Sequence, residues 1–88
     1  MGLSRTVTIV NRKGLHARPA ANFVKLASQF DCKIRIRGGD KDVDGKSIMG
    51  MMMLAAAKGS QITINTEGKD ERKAIDSLSN LVAEGFNE

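Results

Sequence analysis

The stretch Asn11-Arg12-Lys13-Gly14-Leu15-His16-Ala17-Arg18-Pro19-Ala20 gathers the chain's one histidine, its one proline and three basic side chains. A neutral imidazole carries a lone pair and is a nucleophile; what it attacks depends on what surrounds it. Pro19 suits the first turn of a helix, where its missing N–H costs nothing and its fixed φ favours the start. His16 then lies at or just before a helix N-terminus, where the first backbone N–H groups lack intrahelical partners and the dipole favours an anion. A phosphoryl group taken up there would face those N–H groups and the planar fork of Arg18, which matches phosphate oxygens. By spacing alone the same residues fit better a histidine that only caps a helix or sits in solvent.

The elements that must hold this stretch follow from hydrophobic period. From Arg5 to Val10, Val7 and Ile9 alternate with Thr6 and Thr8, which predicts a half-buried strand feeding the loop Asn11 to Leu15. Ala20, Phe23, Val24, Ala27 and Phe30 recur at helical spacing, so a helix is expected from about Ala17 to Phe30, with Asn22, Lys25 and Ser28 facing water. Cys32 to Arg37 alternates again with Ile34 and Ile36 inward, Gly38-Gly39 turns the chain, and Lys41 to Asp44 reads as a short polar edge strand. Ser47 is placed to cap a short helix from Ile48 to about Ala56, with Met51, Leu54 and Ala55 on one stripe. Ile48 lies at the margin of that stripe and Met49, Met52 and Met53 lie off it, which leaves more apolar surface than one buried face requires. A fourth strand runs from Gln61 to Thr66. Asp70-Glu71 then opens a last helix with an apolar face of Ala74, Ile75, Leu78, Leu81, Val82 and Phe86. Strands that all alternate predict an α+β fold, in which helices cover one face of a mixed or antiparallel sheet and solvent meets the other.

Eighty-eight residues suit one domain, 1-88, near the size at which a single core is barely sufficient. Three Phe and no Trp or Tyr imply an aliphatic, Met-rich core. The one cysteine, Cys32, cannot form an internal disulfide and has no metal-ligand spacing, so it reads as a small buried hydrophobe in a chain suited to a reducing cytoplasm. There is no signal-peptide pattern, and the longest apolar run, Met51 to Ala57, is too short to insert in a membrane. A net charge of +4 raises acidic partners and nucleic acid as possibilities. Nucleic acid is disfavoured, because the sheet lacks aromatic residues for base stacking.

Leu15-His16-Ala17-Arg18-Pro19-Ala20-Ala21 is similar to the active-site signature of the HPr family, the histidine-containing phosphocarriers of the bacterial phosphoenolpyruvate-dependent phosphotransferase system. Lys46-Ser47-Ile48-Met49-Gly50-Met51-Met52-Met53-Leu54-Ala55 resembles that family's second signature, around a regulatory serine. The distance between the motifs, the element order and the length also agree, so the resemblance covers nearly the whole chain. It implies an open-faced sandwich of four antiparallel strands with three helices on one face. It further implies that His16 accepts a phosphoryl group on Nδ1 from an enzyme I-type phosphotransferase and passes it to a histidine of an enzyme IIA-type protein. Arg18, with the backbone N–H groups of Ala17 and Arg18, would hold the phosphate. Such a chain is not an enzyme but the phosphorylated intermediate itself, and is expected to be a monomer without cofactor or metal. Ser47 would be the target of an HPr serine kinase. Ile48, Met49 and Met52, with basic Arg12, Lys13 and Lys46, would form the docking surface. Sugar-type and nitrogen-type branches share both motifs, and the alternative is a binding protein controlled mainly by Ser47 phosphorylation in a nitrogen-type relay.

Overall fold

Alternation with period two produces four strands in the computed structural model, which describes residues 2–87. These are β1 (Leu3–Thr8), β2 (Lys33–Gly38), β3 (Lys41–Asp44) and β4 (Gln61–Glu67). They form one antiparallel sheet in the order β1-β4-β2-β3. The register sets Val7 opposite Ile62 and Ile36 opposite Ile64, so the apolar residues share one face. The other face is polar. Thr6 and Thr63 approach hydroxyl to hydroxyl at 3.0 Å, and Asp42 on β3 accepts from Arg35 Nε at 3.1 Å. Charged β3 occupies an edge, where it discourages pairing with another chain.

Three helices, α1 (Ala17–Ala27), α2 (Ile48–Met53) and α3 (Glu71–Ala83), cover the apolar face. α3 lies over β1 and β4, α2 meets β3, and α1 packs against both other helices. Ile9, Phe23, Ile34, Ile36, Met51, Ile62, Ile64, Ile75, Leu78, Val82 and Phe86 are fully buried between the layers. Each such side chain contributes roughly 1.5–3 kcal/mol by leaving water, so the aliphatic composition suffices for a core without Trp or Tyr.

Local differences from the expected elements have identifiable causes. β1 begins at Leu3 and ends at Thr8, short of Val10. α1 stops at Ala27, because Gln29 and Phe30 donate three residues back, to Leu26 and Ala27, and this tighter turn brings Phe30 to the core margin. Asn22 does not simply face water; its Nδ2 donates to the Phe86 carbonyl at 3.0 Å. Gly38 pairs with Lys41 inside the hairpin, so Gly39-Asp40 make the turn. α2 ends at Met53, and Ala55 is exposed at φ 49 rather than aligned with buried Met51 and Leu54. A left-handed residue with a Cβ costs about 1–2 kcal/mol. Here that turn presents the Ala56 carbonyl to Leu15 N–H at 2.8 Å. Phe86 lies past α3, in a 3-10 turn over Gly85–Asn87, and still reaches the core. Cys32 is only partly buried. Burial pushes its thiol up, with Asp70, Asp31 and Glu71 adding to the effect and Lys46 opposing it, so thiolate chemistry is disfavoured at neutral pH. Among the described residues no helix is long and apolar enough to cross a membrane.

Candidate functional site at the start of the first helix

His16 is the N-cap residue of α1, with extended backbone (φ −96, ψ −167), and its ring makes no capping bond to the helix. The first helical bond runs from Ala20 N–H to the His16 carbonyl at 3.0 Å. Pro19, third in the helix, is buried and has no N–H to leave unsatisfied. The N–H groups of Ala17 and Arg18, in the first turn immediately after His16, have no carbonyl within the helix to bond to. No acidic residue occupies the first turn, so nothing there competes with an incoming anion.

The loop ahead of His16 is held from two sides. Gly14 sits at φ 70 and its N–H donates to the Asn11 carbonyl at 3.1 Å. Leu15 is buried and bonds to Ala56, so the loop rests on the segment that follows α2. A depression opens at this end of the fold, lined by the loop, by His16, Ala17 and Arg18, and by Ala83, Glu84 and Gly85 from the end of α3. Among the described residues that line it, Arg12, Lys13 and Arg18 stand against one carboxylate, Glu84, which makes their summed charge positive. The arrangement offers a nucleophilic nitrogen, an anion-holding helix end and a guanidinium on one surface.

Thus His16, Ala17, Arg18, Arg12 and Lys13 are brought together. Ser47 lies apart from the depression, as the N-cap of α2, where its Oγ accepts from Gly50 N–H at 3.0 Å. Lys46 is not a freely projecting rim cation: its ammonium donates to the Phe30 carbonyl at 2.8 Å. Ile48, Met49 and Met52 are exposed as expected, Met49 by 77 %, and Met53 and Val10 join them. Met53 stood in the run already noted. Ala83, Glu84 and Gly85 had no local signal as lining residues, because tertiary contact alone brings the end of α3 to this loop.

The fold and site define a four-stranded open-faced sandwich with a histidine at the N-cap position of its first helix. The family model described as "PTS HPr component phosphorylation site" matches residues 3–84, and this chain belongs to that family, the HPr phosphocarriers of the phosphotransferase system. It is 49% identical over 86 residues to the phosphocarrier protein HPr of Pseudomonas putida, covering 97% of this chain and 96% of the relative. It is 42% identical over 86 residues to the phosphocarrier protein NPr of Shewanella violacea, covering 98% and 94%. The crystal structure of HPr-C-His from Thermoanaerobacter tengcongensis superposes with a TM-score of 0.92 at 43% identity, covering 98% of this chain and 97% of that one.

Proposed function

We propose that the phosphoryl group rides on His16. The observation that supports this is an imidazole at the α1 N-cap, followed by two N–H groups without helical partners and by Arg18, in a depression whose lining charges sum to positive. The Nδ1 lone pair attacks the phosphorus of a phosphohistidine on an enzyme I-type donor. The donor N–P bond breaks as the new one forms, and each ring keeps the proton on its other nitrogen. The donor leaves as neutral imidazole, and His16 becomes a cationic ring bearing the phosphoryl dianion. Ala17 and Arg18 N–H groups and the Arg18 guanidinium receive its oxygens. Transfer of this kind needs positioning and charge stabilisation more than covalent help. The chain is then itself the intermediate rather than an enzyme, and its onward acceptor is a histidine on an enzyme IIA-type protein.

Ile48, Met49, Met52 and Met53 supply an adaptable apolar docking surface, and exposed Arg12 and Lys13 steer acidic partners toward it. A chain loaded with phosphate should discharge to a sugar-type or a nitrogen-type enzyme IIA; retention against active samples of both would contradict onward transfer. A second reading, control by a serine kinase, is supported by Ser47, whose partly exposed side chain stands at the head of that apolar helix. Aspartate caps helices as well as serine does. Ser47→Asp should therefore keep the thermal midpoint while slowing loading from enzyme I roughly tenfold, about 1.4 kcal/mol of docking energy. An unchanged loading rate would remove Ser47 as a switch.

A further inference from the structure

We propose that Asn11 is a positioning residue for phosphoryl transfer, clamping the loop so that the His16 ring is held at one place above the depression. The inference rests on His16 being the acceptor. Asn11 is only 9% exposed, unusual for an amide side chain in a surface loop. Its Nδ2 donates to the Gly14 carbonyl at 2.7 Å, and Gly14 N–H returns a bond to the Asn11 carbonyl at 3.1 Å. The same Gly14 carbonyl accepts from His16 N–H at 3.1 Å. Asn11 and His16 are thus tied to one oxygen.

The backbone N–H groups of Gly14, Leu15 and His16 are all committed, to Asn11, Ala56 and Gly14 in turn. The loop backbone that carries the His16 ring is consequently held in place beside the depression. A Cβ built on Gly85 would sit 3.6 Å from the Asn11 Cβ, so the end of α3 closes over the clamp at ordinary contact distance. A clamp beneath the loop acts on the chemistry and not on docking, since misplacing a reacting group by about 1 Å can cost on the order of 100-fold in rate. Arg12 and Lys13, exposed beside it, act through encounter instead.

Asn11→Asp preserves shape, removes the donor and turns a carboxylate oxygen toward the Gly14 carbonyl; Asn11→Ala removes the donor without adding charge. Phosphotransfer from enzyme I would be measured with carrier concentration varied, with wild-type loading at His16 established first, so failure of that reading would show before any variant is compared. The expected result is a kcat at least about tenfold lower in both variants with KM within about twofold of wild type. If the aspartate variant does not fold, the alanine variant decides alone. In wild type, the Asn11 side-chain amide protons should also exchange far more slowly than those of exposed Asn80. Wild-type kcat in Asn11→Ala, a change confined to KM, or Asn11 amide exchange as fast as that of Asn80 would overturn the clamp.

Discussion

His16→Ala is expected to abolish phosphoryl acceptance completely while leaving the fold in place. The imidazole is partly exposed and makes no capping bond to α1, so its removal should change stability by no more than about 1 kcal/mol. The helix keeps its first bond, which comes from the His16 backbone carbonyl and not from the ring. Thermal unfolding and intact mass together check both halves. A variant that unfolds would assign His16 a structural role, and a variant that still gains acid-labile phosphate would place the acceptor elsewhere.

Gly14→Ala should have the largest effect on stability. A Cβ there would lie 2.4 Å from the Ala56 carbonyl oxygen and 2.9 Å from Ala57 Cα, both backbone atoms that cannot rotate away. The residue also sits at φ 70, which costs an alanine about 1–2 kcal/mol. Relief of the overlap requires the loop to lift from the segment after α2, adding roughly 1–3 kcal/mol and straining the Leu15–Ala56 hydrogen bond. Together these approach half the stability of a small domain. The thermal midpoint should fall by on the order of 10 °C or more, and phosphoryl loading should slow in parallel. A Gly14→Ala protein as stable as wild type would mean that the loop does not rest on Ala56.

What the chain displayed in advance was whatever local chemistry encodes. Alternating Val, Ile and Thr marked the strands, the charges of Lys41 to Asp44 marked an edge, and Ser47 marked a cap, because each is a property of neighbouring residues. The end of α2 escaped detection because Ala55 is a good helix former and carries no turn signal; docking of Leu15 on Ala56 reverses the chain there. Phe86 kept its helical spacing on paper, yet reaches the core by a break at Gly85 and a left-handed turn. At the site, His16, Arg18 and Pro19 were legible as residue types with a shared chemistry. Asn11 looked like an ordinary loop amide, since only the fold shows that it is buried against Gly14 and Gly85. Lys46 likewise read as a rim charge until its ammonium met the Phe30 carbonyl. Sequence shows which groups are able to react, and tertiary contact decides which of them are held still.

The most direct measurement is intact-protein mass spectrometry of the wild-type chain after incubation with phosphoenolpyruvate, Mg²⁺ and an active bacterial enzyme I, followed by mapping of the modified peptide at alkaline pH. The expected result is one acid-labile phosphoryl group, located on His16. Absence of phosphate on the chain, with the same enzyme I loading another carrier and a cognate nitrogen-type enzyme I also failing, would contradict the phosphocarrier role, as would a phosphate mapped to any other residue.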